Sequence, residues 1–450
     1  MDNESIARRI KRLIEILMAF QIIMMIVFII KNGTYKPTYG DTSEYLSLAQ
    51  TLKLDIYRPF IYPYTLNLLS KFVNIENITY ILYPIQNAIS LLSCLVLVST
   101  LNDVVEAKLS KKQILFYSLF LGSIPLIVHY NMTLLSDSLA VSFNVLFICF
   151  LIKYIRTEKI VYALATLITM FLCASTRSEK IYFLSFVIVG IIVIKIINYL
   201  YERKKSKSTL NIKIIAGLSI ILVLGNITTN IAKAKFQSYE DVERTQSSVS
   251  YILYERIVSN SLPDIYEYLP EDIKQTISYE EALESATEKN KYKKPYEKLL
   301  KQDGNSKRSF TIMKIAVRRN APKILINVLS DFIKNIFTPY YILANQDDEL
   351  YKYTLSKMEG EHYLYTDAYV LYFDVLFIII NIYVWLNKKS YRVIDKYVVF
   401  VILLYILASS GFFACFTAFN FHIRYEMPIY LLENGVLITL FSFNSKGEKR

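Results

Sequence analysis

Ten runs of apolar residues, most close to the length that crosses a bilayer, set what this chain can fold into. They cover approximately residues 13–30, 78–101, 113–128, 137–152, 160–173, 181–194, 214–231, 368–386, 397–419 and 428–443. A hydrocarbon core takes roughly 20 helical residues to span. Lipid offers backbone amides no partner, so each run must satisfy its own hydrogen bonds as a helix. Of the 450 residues, 54% are hydrophobic, and a soluble chain of this length would need several cores instead of so many such runs. The expected fold class is all-α, a polytopic helical membrane protein with about ten spans.

The net charge of +12 would suit a nucleic-acid binder, but its placement argues against one. The basic residues cluster in short loops between apolar runs. Loops and tails assigned to the inner side hold 23 Lys or Arg in 66 residues, and the short outer segments hold 8 in 70. By the positive-inside rule this bias puts both termini in the cytoplasm. The block YERKKSKS at 201–208 is its strongest element. The first run follows a basic RRIKR start and lacks a small-residue cleavage site, so it reads as an anchor and not a signal peptide. Cys94, Cys149, Cys173 and Cys415 all fall in or at the ends of apolar runs, which suits small buried hydrophobes better than disulfides or metal ligands.

Three parts are expected: a seven-span module over 1–231 that includes a first outer loop at 31–77, an external helical region at 232–366, and three spans over 367–450. Within the external region, 321–341 carries Ile324, Leu325, Val328, Leu329, Phe332, Ile333, Ile336 and Phe337 at helical spacing, opposite Lys323, Asp331 and Lys334. This pattern predicts an amphipathic helix lying at the membrane surface.

The first outer loop, GDTSEYLSLAQTLKLDIYRPFIYPYTLNLL at 40–69, concentrates polar chemistry beside the membrane. Asp41 stands where a helix should begin, with Glu44 three residues on. By pattern alone Asp41 reads either as a helix cap or as a catalytic base. Pro59 and Pro63 bias Arg58 and Tyr62 toward extended backbone, so the chain is expected to leave one short helix, turn, and start another at Tyr64.

Three further loops on the same face carry matching groups. HYNMTLLSDS presents His129, Asn131, Ser136 and Asp137; Ser136–Asp137 suits a helix cap, with a catalytic Asp137 as the second reading. STRSEK presents Arg177, Glu179 and Lys180, and NFHIRYEMP presents His422, Arg424 and Glu426. Each arginine suits a phosphate, a neighbouring carboxylate or a lipid headgroup. A lone histidine at a membrane edge, such as His422, reads as a hydrogen-bonded surface residue more readily than as a ligand. Asp374 and Glu433 are acids in the outer parts of spans. NQDDEL at 345–350 lacks the spacing of a calcium loop and reads as a solvated turn. Phosphate loops and dinucleotide fingerprints are absent from the sequence.

GDTSEYLSLA followed by YRPFIYP resembles the first outer loop of the GT-C class of integral membrane glycosyltransferases, in particular the protein-mannosyltransferase and aminoarabinose-transferase-like groups. LLSDSLAVSF resembles the second-loop segment of that family, with Ser136–Asp137 where Ser-Glu is usual. TRSEKIYF, RNAPKILINVL and IRYEMPIYLL resemble later segments in the same order. The resemblance implies transfer of a sugar from a polyprenyl-phosphate or polyprenyl-diphosphate donor on the non-cytoplasmic face, with Asp41 as the base. Glu44, Tyr45, Arg58, Tyr62, His129, Arg177, Lys180 and Arg424 are then expected around the substrates, with Asp137 beside the chemistry. A single displacement with an inverted anomeric centre is expected, with no cofactor, and a metal-free site is preferred to a divalent ion held by Asp41 and Asp137. The expected partners are the lipid-linked donor, a glycan, lipid or protein acceptor, and the bilayer of a bacterial plasma membrane. The competing expectations are a transporter or flippase of lipid-linked intermediates and an envelope polysaccharide polymerase or ligase.

Overall fold

A computed structural model of the chain describes residues 3–32, 40–52, 58–105, 109–177, 180–203, 212–236, 254, 257–258, 261–287, 295–299, 307–337, 367–386, 396–416 and 422–442. Every described element is helical. The first ten helices are α1 (Asn3–Asn32), α2 (Gly40–Thr51), α3 (Ile61–Leu69), α4 (Thr79–Val105), α5 (Lys111–Gly122), α6 (Pro125–Asn131), α7 (Asp137–Thr157), α8 (Ile160–Thr176), α9 (Lys180–Arg203) and α10 (Ile212–Phe236). The longer helices that follow are Lys307–Phe337, Asp367–Leu386, Lys396–Phe416 and His422–Ser442.

Five of these are long and apolar enough to cross a membrane, within α1, α4, α7, α9 and α10. A sixth candidate is the pair α5 and α6, which meet at a 75° bend. Ile160–Thr176, Val375–Leu386, Val401–Gly411 and Met427–Ser442 are shorter apolar helices. The chain is an integral, polytopic helical membrane protein.

The apolar run 113–128 is therefore not one straight helix. Pro125 opens α6, and the residue before a proline is pushed off helical backbone. Ile124 accordingly sits at φ −55°, ψ 124°. The freed end of α5 is closed locally, with the Ser123 hydroxyl donating to the Phe120 carbonyl at 2.6 Å. At its start α5 has a reciprocal cap, in which Gln113 N–H donates to the Ser110 hydroxyl and the Gln113 side chain accepts from Ser110 N–H.

Helix α7 is the axis of the bundle. Of its span, 83% is enclosed, against 28% for α1 and 28% for α10. It packs on α4, α8, Lys396–Phe416 and His422–Ser442. Lipid tails are as apolar as leucine, so close backbone approach and internal hydrogen bonds hold such a bundle, not hydrophobic burial. Gly217 of α10 lies directly under the Tyr154 hydroxyl, which donates to the Lys213 carbonyl at 3.3 Å. Tyr405 donates to Asn144 Oδ1 of α7 at 3.0 Å. Cys94, Cys149 and Cys173 are buried free thiols, as expected; the side chain of Cys415 lies outside the described residues.

A second, separate core lies within residues 232–366, the region expected to be external. Tyr254, Val258, Leu262, Ile265, Leu269, Ile273, Ile277 and Ala282 bury against Tyr296, Leu299, Ile312, Met313 and Ala316. The last three belong to Lys307–Phe337, so the helix expected at 321–341 begins fourteen residues earlier, inside this core. It kinks at Asn320 (φ −121°, ψ 22°), two residues before Pro322, whose missing N–H and bulky ring break the ladder there. Residues 338–366, including NQDDEL, lie outside the described residues. So do the loops 204–211 and 387–395.

Candidate functional site

The described parts of the segment expected as the first outer loop include two short helices, α2 and α3. In α2, Asp41, Glu44 and Tyr45 recur at helical spacing and share one face. Helix α3 begins at Ile61, earlier than the expected Tyr64, and Tyr62 is helical and fully buried, not extended. Pro63 falls in the first turn, where its missing N–H has no intrahelical partner to lose. Asn67 Nδ2 donates to the Ala49 carbonyl at 2.8 Å and ties α3 to α2.

Arg58, just before α3, reaches back to α2. Its Nη2 donates to Asp41 Oδ1 at 2.7 Å and to Glu44 Oε2 at 2.8 Å, and its Nε donates to the same Glu44 oxygen at 3.1 Å. The guanidinium also lies over the Tyr45 ring at 5.2 Å. Burial works against its charge, but Tyr45, Asp41 and Glu44 outweigh that and raise its pKa above the ordinary arginine value.

Tyr45 links this cluster to the next one. Its hydroxyl shares a 2.7 Å hydrogen bond with the Ser136 hydroxyl, and its ring meets Tyr62 edge-on at 4.8 Å. Burial raises the Tyr45 pKa, while the charges of Arg177 and Arg58 pull it down. Tyr45 therefore feels both guanidinium groups. Ser136 precedes α7 without capping it through its side chain, so the capping role expected for it is replaced by this bond. Asp137, in the first turn of α7, accepts from Arg177 Nη2 at 2.6 Å. Arg177 ends α8 in extended backbone.

The two carboxylates differ in access. The Asp137 side chain is 2% exposed and that of Asp41 is 29% exposed. Lys180 is buried, its backbone N–H donating to the Arg177 carbonyl at 3.1 Å and its ammonium over the Phe183 ring at 4.9 Å. His129, expected beside the substrates, is buried in α6 with its ring edge-on to Tyr130. Arg424 falls near the start of His422–Ser442, but its side chain lies outside the described residues, as do those of His422, Glu426 and Asp374. Glu433 is partly buried on that same helix.

Gln86 is the residue that reading the sequence missed. It is fully buried in α4. Its Oε1 accepts from the Tyr62 hydroxyl at 3.3 Å, and its Nε2 donates to the Asn131 and Thr133 carbonyls at 2.8 and 3.0 Å. One amide thus registers α3 against the α6–α7 turn that carries Ser136 and Asp137. A glutamine near the end of an apolar run, just after Pro84, was the available signal.

Asp41, Glu44, Tyr45, Arg58, Tyr62, Asp137 and Arg177 thus form one connected cluster at one end of the bundle. Chemically it offers a part-exposed carboxylate able to take a proton and two planar cations able to hold phosphate oxygens. Among the described residues no group of three or more His, Cys, Asp or Glu is placed to hold a metal ion. Comparison with known proteins returned no matching family model, no matching curated protein and no matching solved structure.

Proposed function

We propose that this chain is a membrane glycosyltransferase that moves a sugar from a polyprenyl-phosphate-linked donor to a cell-envelope acceptor on the non-cytoplasmic face. The observation that carries the reading is the Arg58 fork between Asp41 and Glu44, joined through Tyr45 to the Asp137–Arg177 pair. Polar groups at a membrane edge need such a purpose, because lipid gives them no partners. Six long or bent apolar helices and four shorter ones, with the loop-charge bias, support ten spans and cytoplasmic termini in a bacterial plasma membrane.

In this reading Asp41 takes the acceptor hydroxyl proton while the acceptor oxygen bonds to the anomeric carbon. The bond from that carbon to the phosphate oxygen breaks, and the lipid phosphate leaves with the electron pair. Arg177 holds the phosphate as its charge grows, with Arg424 assigned the same task from sequence. Arg58 divides its hydrogen bonds between Asp41 and Glu44, which fixes the base in place. Asp137 is too enclosed to meet an acceptor and positions Arg177. Tyr45 and Tyr62, expected beside the substrates, are enclosed and instead hold the loop that carries Asp41 against Ser136 and Gln86. One displacement inverts the anomeric centre.

The test is transfer of radiolabelled sugar from a panel of polyprenyl-phosphate and polyprenyl-diphosphate sugars by the purified protein, beside Asp41→Asn. Label reaching an acceptor or water with wild type alone is the expected result. Failure of the folded wild type to transfer from every donor overturns the reading and shifts it toward translocation of lipid-linked intermediates.

A further inference from the structure

The kinked helix Lys307–Phe337 carries seven cations and one acid, Asp331; the side chains of Asp331 and Lys334 lie outside the described residues, and the other six cations are Lys307, Arg308, Lys314, Arg318, Arg319 and Lys323. The fold divides them. Arg308 pairs with Asp272 at 3.3 Å, Lys323 pairs with Asp264 at 2.8 Å, and Arg319 lies 4.0 Å from the centre of the Tyr268 ring. Those three positions fall on one face at helical spacing and are committed to the external core. Lys314 and Arg318, four residues apart, lie on another face. Both are exposed, and neither makes an ion pair among the described residues.

The apolar residues beyond the kink divide in the same way. Ile324 packs on the external core. A methyl group at Gly411 of the apolar helix Lys396–Phe416 would lie 3.7 Å from the Phe332 ring. Leu325, Leu329 and Ile333, the next row around, are exposed. Lys314 and Arg318 stand before the kink at Asn320, and Leu325, Leu329 and Ile333 stand after it, so the exposed residues form a broken stripe along the chain, basic first and apolar after. The neighbouring Lys396–Phe416 includes the shorter apolar helix Val401–Gly411, so the apolar end of the stripe borders an apolar element of the bundle.

We infer that this stripe is a seat for anionic phospholipid, with Lys314 and Arg318 on headgroup phosphates and Leu325, Leu329 and Ile333 among the acyl chains. Charge complementarity selects the occupant. A neutral bilayer would account for the leucines but not for two solvated cations just before them in the chain, whereas an anionic surface attracts each Lys or Arg near it. The external core, docked on the opposite face through Asp264, Asp272 and Tyr268, is then held at a fixed height over the bilayer. This inference does not depend on the proposed transferase reaction.

The full chain has one tryptophan, Trp385, which makes a depth probe direct. Trp385→Phe with Leu329→Trp is reconstituted in phosphatidylcholine vesicles doped at equal mole fraction with brominated phosphatidylcholine or brominated phosphatidylglycerol. The brominated anionic lipid is expected to quench about threefold or more in excess of the neutral one. The excess should vanish in Lys314→Gln/Arg318→Gln, and shrink as salt screens the headgroups. The charge-reversed pair Lys314→Glu/Arg318→Glu should invert the preference and serves as the second variant if the milder one folds poorly. Equal quenching by both lipids overturns the inference, as does a preference unchanged by the charge substitutions. Absence of quenching by either overturns it too, because the apolar row would then lie outside the bilayer.

Discussion

Tyr45 and Ser136, ninety-one positions apart in the chain, share a buried 2.7 Å hydrogen bond that fastens the first outer loop to the start of the central helix α7. The bond stands between two arginine–carboxylate clusters, so it fixes how far apart they sit. A hydroxyl enclosed this deeply costs free energy when its partner is removed. Tyr45→Phe or Ser136→Ala alone is expected to lower unfolding stability by about 1–2 kcal/mol, with the double variant costing less than the sum. A thermal-denaturation double-mutant cycle in detergent checks this, and strict additivity would show that the bond carries no coupling.

The Asp137–Arg177 pair should behave asymmetrically. Asp137 is almost wholly enclosed, so Arg177→Ala strands a buried carboxylate, a situation that costs about 3–5 kcal/mol. Asp137→Leu with Arg177→Met replaces both charges by apolar groups and is expected to recover most of that stability. Under the proposed function, sugar transfer should fall with the single and the double variant alike, since the cation proposed to hold the phosphate is gone from both. Folded yield and transfer measured together separate the two effects, and a double variant as unstable as Arg177→Ala would refute the argument.

Gly217 is required by contact. The Tyr154 hydroxyl lies where a Cβ would stand, and a rigid phenol has no small adjustment available that keeps its bond to the Lys213 carbonyl. Gly217→Ala is expected to destabilise by about 1–3 kcal/mol, while Gly217→Ala with Tyr154→Phe recovers part of the loss. By contrast, Gly225 faces the flexible Met170, whose Sδ would lie 2.6 Å from an added Cβ, and Gly225→Ala should be milder. Melting temperatures in one detergent rank the variants directly.

Burial holds the Tyr62 phenol well above its ordinary pKa, with the neighbouring Tyr45 adding to the shift. Above the unfolded value near 10, the unfolded chain gives up this proton while the folded chain keeps it. The unfolded state then binds fewer protons, so stability falls as pH rises, by up to about 1.4 kcal/mol per pH unit for this group. Tyr62→Phe loses the hydrogen bond to Gln86 and should be less stable than wild type at pH 8. Its decline above pH 10 should be shallower. Unfolding curves from pH 8 to 11.5 read both, and parallel slopes for the two proteins would exclude Tyr62 as a contributor.

Much of this architecture is legible in the amino-acid sequence. The apolar runs fall on helical backbone, because lipid admits little else and leaves a long compositional trace. The cluster of Asp41, Glu44 and Arg58 is legible too, since the acids sit one turn apart and the arginine follows within the same loop. Other features are not. Asp137 and Arg177 meet across forty positions, and only the packing of α7 on α8 decides that. Gln86 lies inside an apolar run and looks like a tolerated polar residue until its three partners are known. The external core has no repeating pattern, being assembled from short turns and the first half of one helix. Pro125 signals the 75° bend between α5 and α6, but a proline alone does not distinguish a kinked span from a broken one.

The Arg58 fork leads to the sharpest expectation for the site. Three hydrogen bonds leave its guanidinium, two to one Glu44 oxygen and one to Asp41, while its plane covers the Tyr45 ring. A lysine brings the same charge as a compact point on a flexible stem and cannot make the same planar arrangement. In Arg58→Lys the two carboxylates are no longer held apart at a fixed separation, and Asp41, the proposed base, loses its fixed position. Misplacement of about 1 Å at a reacting group can cost roughly a hundredfold in rate. Arg58→Lys is therefore expected to lower kcat for sugar transfer by about ten- to a hundredfold with a smaller change in KM for the lipid donor, because donor phosphate is assigned to Arg177. Steady-state kinetics against the lipid-linked sugar, with folding checked by size-exclusion profile, make the comparison. A large rise in KM with kcat unchanged would instead put Arg58 on the donor phosphate and leave Asp41 positioned by Glu44 and the turn of α2.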